Sequence, residues 1–152
     1  MQGKKVSESE VVMVHLPMPD ESNSAGTMHG GHLLKHIDNA AGLVACRHAR
    51  SKVVTAALER MDFLTPIHFG EAIIIKGSIN LAGRSSMEIG VRVEVEHIRS
   101  GQTRHAATCY VTYVAVDDEG RPQEVPPLII ESEDEIRRQA KALDRRARRR
   151  QS

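Results

Sequence analysis

Hydrophobic and polar positions divide the chain into one helical stretch followed by a longer stretch of strands. In residues 32–49 the apolar positions recur at the i, i+1, i+4, i+7, i+8 spacing of one helix face, and they comprise Leu33, Leu34, Ile37, Ala40, Ala41, Val44 and Ala45. This spacing predicts one amphipathic helix of about five turns. Upstream, residues 11–16 predict a short strand that ends at a proline-rich segment, and residues 19–31 predict a loop.

Residues 53–117 carry the pattern of strands rather than of a helix. Four strands are predicted, over 53–64, 71–81, 86–98 and 103–117, joined by short turns. The third alternates most clearly, with Met87, Ile89, Val91, Val93 and Val95 facing inward and Glu88, Arg92, Glu94 and Glu96 facing outward. The fourth is mixed on both faces, which predicts a position inside the sheet.

This order of elements predicts an α+β fold in which one long helix packs on an antiparallel sheet of about five strands. A sheet of that size has two faces and two edges, and a single helix covers only one face. We therefore expect a dimer in which the sheet of one chain continues into the sheet of the other.

The chain has 152 residues, 40% of them hydrophobic, which predicts one globular domain with a single core. We assign residues 1–9 to a flexible leader, 10–130 to the domain and 131–152 to a charged, helical C-terminal tail. The sequence carries no secretory signal and no run of about 18 apolar residues, so a cytoplasmic protein without a membrane span is expected. Cys46 and Cys109 lack CxxC spacing and are expected to be buried free thiols.

Charge is distributed unevenly along the chain. The net charge is +1, yet residues 137–152 hold 8 of the 21 basic residues and one acid, which leaves 13 bases against 19 acids elsewhere. Such a tail can contact RNA, an anionic membrane or an acidic neighbouring subunit, but it is also typical of a solvated helical extension, which we favour. Aromatic residues make up only 3% of the chain and no nucleic-acid motif accompanies the charge, so no nucleic-acid partner is expected.

The most informative chemistry lies where the loop enters the helix. Gly30 and Gly31 leave backbone N–H groups uncovered at the positive end of the helix, which suits an oxyanion or a polarised carbonyl. A tight turn or close packing would explain the same glycines. Asp38 falls on the shoulder of the apolar stripe, where a carboxylate is costly unless it is bonded or used. A general base and a structural acid both fit this position.

Spacing along the helix constrains how these groups act together. Gly31 and Asp38 are seven residues apart, or roughly 10 Å at 1.5 Å per residue. That distance is too long for both to touch one reacting carbonyl. If both act in one site, the helix N-terminus is expected to come from one subunit and the carboxylate from the other.

Three histidines near the helix start raise the question of a metal. His32 and His36 share one helix face and His29 precedes them, but Asp38 points away from that face and no HExxH glutamate is present. No metal site is therefore expected, and these histidines are interpreted as solvated polar-face residues. The sequence also lacks a GxSxG motif, so water is the better nucleophile. The turn at 83–86 fits either a phosphate contact or an ordinary hairpin.

Five segments occur in the order and with the gaps of one known family. They are residues 19–31 with Asn23, Gly26, His29 and the glycine pair, then LLKHIDNAAGLVA, VVTAALERMDFLTPIHFGE, GRSSMEIGVRVEVE and YVTYVAVDDEGRPQEVPP. Through these segments the chain resembles the hotdog-fold acyl-CoA thioesterases related to brain acyl-CoA hydrolase, and the similarity covers roughly residues 10–130. The resemblance implies a long helix wrapped by an antiparallel sheet. It also implies dimers that share a continuous sheet, and commonly trimers of such dimers, which are hexamers.

The same resemblance implies the site residues. The catalytic pair is an acid on the central helix and an asparagine in the preceding loop, which are Asp38 and Asn23 here, while Gly30 and Gly31 polarise the thioester carbonyl. The parts that border coenzyme A are Val54, Thr55 and Ala56 in a strand and Arg84, Ser85 and Ser86 in a loop, with Arg60 as a weaker match. Because one chain holds both members of the pair, a homo-oligomer can have every site intact.

These inferences predict an enzyme that hydrolyses an acyl-CoA to a fatty acid and coenzyme A, in fatty acid metabolism. Asp38 would deprotonate water or attack directly, Asn23 would position water or the carbonyl, and the Gly31 N–H would stabilise the oxyanion. No cofactor is expected, because coenzyme A is part of the substrate. The alternative is a non-catalytic acyl-CoA sensor or carrier, and a third possibility is an RNA- or membrane-associated protein that acts through its arginine tail.

Overall fold

A computed structural model describes residues 1–151 and contains two long helices and a five-stranded antiparallel sheet. In chain order the elements are β1 (Lys4–Lys5), β2 (Val11–His15), α1 (Gly30–Ala49), β3 (Lys52–Phe63), β4 (Glu71–Ala82), β5 (Ser86–His97), β6 (Thr103–Val116), β7 (Leu128–Ile129) and α2 (Glu133–Gln151). Short 3₁₀ turns lie at Val6–Glu8 and Pro19–Glu21. The predicted long helix and four long strands are confirmed.

The main sheet has the strand order β2-β4-β5-β6-β3, with every neighbouring pair antiparallel. β6 is an interior strand, as its mixed pattern predicts. Helix α1 packs across one face of the sheet, and the inward residues of β5 predicted from the alternation are all at most 2% exposed. Gly77 of β4 allows the close approach of the helix, since a Cβ there would lie 3.2 Å from Val44.

Helix α1 begins two residues earlier than the apolar pattern predicts. His29 is the N-cap residue, and its Nδ1 accepts a hydrogen bond of 2.9 Å from the Gly31 N–H. A capping side chain satisfies one of the backbone donors that a helix N-terminus leaves without a partner. The spacing of apolar residues contains no information about a polar cap residue. It therefore predicts that the helix begins at residue 32.

The N-terminal segment corrects the expectation of a flexible leader. β1 pairs in parallel with β7 in a second, two-stranded sheet. Val6 is 3% exposed and Ser9 is fully buried. The Lys4 ammonium donates to the carbonyls of Arg47 and His48 at 2.7 and 3.0 Å, where it satisfies acceptors at the end of α1. These contacts join segments far apart in sequence, which is why the local pattern of residues 1–9 does not reveal them.

The basic tail forms the predicted helix, but the structure corrects the expectation of a solvated extension. Ala142 is 1% exposed, and the Arg145 guanidinium donates to both carboxylate oxygens of Glu88 at 2.7 and 2.9 Å. The same guanidinium lies 3.6 Å above the ring of Tyr110. Glu88 therefore faces outward as predicted, yet it is only 6% exposed because α2 covers it.

The two cysteines are free, as expected, but only Cys109 is fully buried, whereas Cys46 is partly exposed. Burial raises the pKa of the Cys109 thiol to about 11, so it stays protonated near neutral pH. Within residues 1–151, neither helix combines the length and the apolar character needed to cross a membrane.

Candidate functional site

Asp38 lies on an exposed part of α1 and is bonded by side chains from two neighbouring strands. The Tyr113 hydroxyl donates to Asp38 Oδ1 at 2.5 Å, and the Thr55 hydroxyl donates to the same oxygen at 3.5 Å. Thr55 and Tyr113 are direct partners in the register of β3 and β6, so one row of the sheet presents both donors to the helix. Both bonds reach Oδ1, which leaves Oδ2 without either donor.

Tyr113 is a partner of Asp38 that the sequence analysis did not predict. It is 3% exposed. Burial, together with the hydrogen bond to Asp38 and the negative charge there, raises the pKa of Tyr113 well above its ordinary value. The phenol therefore stays protonated and donates to the carboxylate. The sequence does contain an indication of this role. Tyr113 alternates in phase with Val111 and Ala115 of β6, so its ring points toward the helix together with its polar hydroxyl.

Asn23 organises the loop that precedes the helix. Its Oδ1 accepts from the N–H groups of Ala25 and Thr27 at 2.9 and 3.1 Å, and its Nδ2 donates to the Thr27 hydroxyl at 2.9 Å. This is the local pattern by which asparagine closes a turn. The amide thus fixes the conformation of residues 23–27, and Gly26 supplies the positive φ of 80° that the turn requires.

A pocket of about 420 Å³ opens between this loop and the end of β3. Asn23 and Gly30 line it together, so the structure brings two predicted site residues to one cavity. Asp38 and Gly31 do not line it. The rest of the lining is largely apolar, which suits a hydrocarbon chain, and comprises Thr27, Met28, Leu33, Phe63, Leu64, Thr65, Pro66 and Ile67.

The two helix-entry glycines differ in the state of their N–H groups. The Gly31 N–H donates to His29 Nδ1, which corrects the expectation that it is uncovered. Within residues 1–151 the Gly30 N–H has no hydrogen-bond acceptor, and Gly30 lies at the pocket wall with its Cα hydrogens toward Phe63. Gly30 is therefore the glycine whose backbone donor is available to a ligand.

Two of the segments predicted to border coenzyme A lie near each other, whereas Arg60 lies apart from them. Val54 of β3 and Ser86 of β5 both pair with Val114 of β6, so residues 54–56 and the turn at 84–86 lie at the same end of the sheet. Arg60 lies further along β3 at an irregularity of the strand, with φ of 52°, and its Nε donates to Asp62 at 2.9 Å. Within one chain the structure does not bring Arg60 to the other candidates.

His36 was expected to be a solvated residue on the polar face of the helix, but its side chain is only 18% exposed. Its Nε2 lies 2.7 Å from Glu21 Oε2, and the Nε2 of His15 lies 2.7 Å from Glu21 Oε1. Burial opposes ionisation of Glu21, but hydrogen bonds from His36, the Met18 N–H and His15 outweigh it and hold the pKa of this carboxyl at about 2. These three side chains are a group able to hold a metal ion, and the helical spacing of the histidines alone does not identify it.

Comparison with known proteins identifies the family. The sequence matches the family model of the thioesterase superfamily over residues 25–102, more than half of the chain. The chain belongs to this superfamily. A relative from Bacillus subtilis, named as the uncharacterized acyl-CoA thioester hydrolase YkhA, is 39% identical over 129 residues, which are 85% of this chain and 75% of the relative. The human cytosolic acyl coenzyme A thioester hydrolase is 38% identical over 88% of this chain, but the chain spans only 36% of its length.

Solved thioesterase structures share the whole architecture, which confirms the hotdog fold. An apo-hexameric acyl-CoA thioesterase superposes with a TM-score of 0.96 at 34% identity and covers 99% of this chain and 97% of its own. The match therefore includes the C-terminal helix, which the sequence resemblance left out. The Staphylococcus aureus acyl-CoA hydrolase, in complex with butyryl coenzyme A, coenzyme A and coenzyme A disulfide, superposes with a TM-score of 0.91 at 36% identity, over 97% of this chain and 90% of its own.

The Staphylococcus aureus hydrolase has also been solved as alanine variants of an asparagine, an aspartate and a threonine. The asparagine precedes the aspartate by 15 residues and the threonine follows it by 17 residues. Asn23, Asp38 and Thr55 have the same two separations in this chain.

Proposed function

We propose that this thioesterase-family protein hydrolyses the thioester of an acyl-CoA to a free fatty acid and coenzyme A. The observation that carries the proposal is the Asp38 carboxylate, which is exposed on the helix and held through one oxygen by Tyr113 and Thr55. A carboxylate fixed at one oxygen can take a proton from water through the other. The names of the relatives, which are acyl-CoA thioester hydrolases, support the same reaction.

In the proposed reaction Asp38 accepts a proton from a water molecule whose oxygen attacks the thioester carbonyl carbon. The carbonyl oxygen becomes negative, and the Gly30 N–H at the helix N-terminus donates to it. The carbon–sulfur bond then breaks, and the departing thiolate takes the proton back from Asp38. Asn23 shapes the loop beside the carbonyl through its bonds to residues 25 and 27.

The geometry of one chain favours a site shared between two. Gly30 and Asn23 line one pocket, whereas Asp38 lies two helical turns away beside Thr55. β3 runs past α1 so that Thr55 lies near Asp38 and Phe63 lies near Gly30. If β3 pairs antiparallel with its copy about an axis near residue 59, Thr55 of one chain lies opposite the partner's Phe63. The Asp38 of one chain then meets the pocket of the other.

Exposed apolar side chains on β3 support this assembly. β3 is an edge strand of 12 residues, and Val54, Leu58 and Phe63 are between 43% and 54% exposed. A long edge of this kind is a template for strand pairing. We propose a homo-oligomer built from such dimers, either the dimer itself or a trimer of dimers. The hexameric state of a similar thioesterase supports the larger form.

We place coenzyme A along residues 54–56 and 84–86, which share one end of the sheet. Arg84 is exposed there and offers a cation for a phosphate, with Ser85 and Ser86 beside it. Arg60 lies next to residue 59 and therefore near the proposed dimer axis. It reaches coenzyme A in this proposal only from the partner chain.

The test is steady-state release of free thiol from acyl-CoAs of increasing chain length, by the protein and by Asp38→Asn. We expect turnover by the protein and a loss of about a thousandfold in kcat for the variant, because general base catalysis and water orientation are both removed. Binding of acyl-CoA without thiol release would instead identify a sensor or carrier. Undiminished hydrolysis by Asp38→Asn would remove Asp38 from the mechanism.

A further inference from the structure

Three side chains from separate segments converge beside the loop that leads into α1. His15 is the last residue of β2, Glu21 ends the 3₁₀ turn at Pro19–Glu21, and His36 lies in the second turn of α1. The two imidazole rings lie with centroids 4.0 Å apart, inclined by 36°, so both present Nε2 to the same carboxylate. One potential ligand atom from each residue lies within 4.8 Å of the other two.

This set has the composition of a transition-metal site. Two imidazole nitrogens and one carboxylate oxygen are a ligand combination that Zn²⁺ uses in proteins, with bonds of about 2.0–2.2 Å. A tetrahedral ion with such bonds needs roughly 3.3 Å between its ligand atoms. His15 and His36 contact different oxygens of the Glu21 carboxylate, each at 2.7 Å, so the contact to the coordinating oxygen opens by about half an ångström when an ion enters.

The carboxylate is fixed in the manner expected of a ligand. Glu21 Oε1 also accepts the Met18 N–H at 2.9 Å, and the Glu21 carbonyl accepts the His29 N–H at 2.6 Å. Hydrogen bonds of this kind orient ligands around a metal and strengthen binding. The Glu21 side chain is 10% exposed, while those of His36 and His15 are 18% and 27% exposed. The site is thus closed on the protein side and reachable by water on the other.

We propose that His15, Glu21 and His36 bind one divalent transition-metal ion, Zn²⁺ in the first instance, with water as the fourth ligand. Both histidines coordinate through Nε2, which requires the neutral tautomer with its proton on Nδ1. The ion sits outside the proposed catalytic pocket, whose lining contains none of the three residues. Its role is structural, because it ties β2, the 3₁₀ turn and α1 together two residues before Asn23.

A second possible metal site on the helix consists of His32 and His36, and the test distinguishes it from the proposed site. His32 precedes His36 by four residues, and such pairs on one helix face can also bind a metal. His32 belongs to a different contact, since its ring meets the edge of His29 with centroids 5.7 Å apart. The variant His32→Ala is therefore a matched control, with the same substitution on the same helix outside the proposed site.

In the experiment the chain is freed of metal with a chelator and then titrated with ZnCl₂, and binding is followed by equilibrium dialysis and by thermal melting. We expect one Zn²⁺ per chain and a higher melting temperature with Zn²⁺, for the wild type and for His32→Ala alike. His15→Ala and His36→Ala should each weaken binding by tenfold or more, since removing a first ligand costs at least as much as removing a group that orients one, about 10–100-fold. Circular dichroism of the metal-free variants checks folding, and His15→Ala at an edge strand carries the test if His36→Ala does not fold.

Cobalt substitution supplies an independent readout of the ligands. Co²⁺ in the proposed site should show the absorption of a four-coordinate nitrogen and oxygen site without a thiolate-to-cobalt charge-transfer band. Such a band would assign the ion to a cysteine, for example the partly exposed Cys46, and would overturn the proposal. Stoichiometric binding that survives in His15→Ala, binding that is lost in His32→Ala, or no binding by the wild type would overturn it as well.

Discussion

The Tyr113 hydroxyl lies 2.5 Å from Oδ1 of Asp38 and donates a hydrogen bond to it, joining residues 75 positions apart in the chain. The same hydroxyl lies 3.0 Å from the backbone carbonyl of Asp38. Tyr113 of the sheet thus holds the Asp38 side chain close to the backbone of helix α1. In the proposed reaction this contact makes Tyr113 a positioning residue, because it acts through Asp38 rather than on the thioester.

Tyr113→Phe is expected to lower kcat by roughly tenfold to a hundredfold, since a hydrogen bond to a charged group contributes about 1.5–3 kcal/mol and each 1.4 kcal/mol is a factor of ten. KM should change little, because in the proposed reaction Tyr113 contacts Asp38 rather than the substrate. The control is Tyr110→Phe, which alters the chain's other tyrosine on the opposite face under Arg145. Equal kcat values for the two variants would contradict the positioning role.

His29→Ala tests which glycine polarises the carbonyl. The substitution removes the N-cap acceptor of the Gly31 N–H and should cost about 1 kcal/mol of unfolding free energy. We expect kcat to stay within about twofold, because the Gly30 N–H is already available at the pocket wall. A clear rise in kcat, once the stability loss is allowed for, would show that His29 was covering the functional donor and would assign that role to Gly31.

Arg145→Ala is expected to destabilise the protein by about 3 kcal/mol, measured by urea denaturation. The side chains of Arg145 and Glu88 are 13% and 6% exposed, so removal of one partner leaves a buried charge uncompensated. Arg148→Ala on an exposed position of the same helix should change the unfolding free energy by no more than about 0.5 kcal/mol. Similar small effects in both variants would mean that α2 does not hold the outer face of the sheet.

The decrease in the free energy of unfolding at acidic pH should depend on Glu71. Its side chain accepts hydrogen bonds from Arg104 at 2.5 and 2.9 Å, and these bonds are the main reason that its pKa falls from 4.5 to about 2. A depressed pKa means that the stabilisation, up to about 3 kcal/mol, is fully present above pH 4.5 and is lost as the pH falls from there toward 2. Glu71→Gln should lower the unfolding free energy at neutral pH and reduce its pH dependence in this window. The partly exposed Glu96→Gln is the control, and an unchanged slope in Glu71→Gln would contradict the assignment.

Local patterns predicted the parts of the fold that local physics determines. The alternation of β5 identified inward residues such as Ile89 and Val93, which are fully buried, because a strand directs successive side chains to opposite faces. Helical spacing likewise placed Asp38 at the border of the apolar stripe, where the structure finds it exposed beside Thr55 and Tyr113. The pairing of Asp38 with Asn23 as catalytic residues came from the family resemblance rather than from the pattern.

Contacts between distant segments were not predictable from a single sequence. Arg145 and Glu88 are 57 positions apart, and nothing in either segment indicates that the tail helix lies on the sheet. His15 and His36 come together only because β2 and α1 flank the turn that carries Glu21. The His29 cap was not predicted for a different reason, because histidine is not among the residues that usually mark a helix start.

The central claim is that Asp38 of one chain completes the pocket formed by Asn23 and Gly30 of another. Its most direct test is to mix two inactive variants, Asp38→Ala and Asn23→Ala, by unfolding and refolding them together in equal amounts. If the two residues serve one site from different chains, each mixed dimer regains one intact site, and random pairing restores about a quarter of wild-type thiol release. Each variant refolded alone should stay inactive. Failure of the mixture to exceed the two variants alone, with mixed dimers shown to form, would place both residues in the same chain's site and contradict the account.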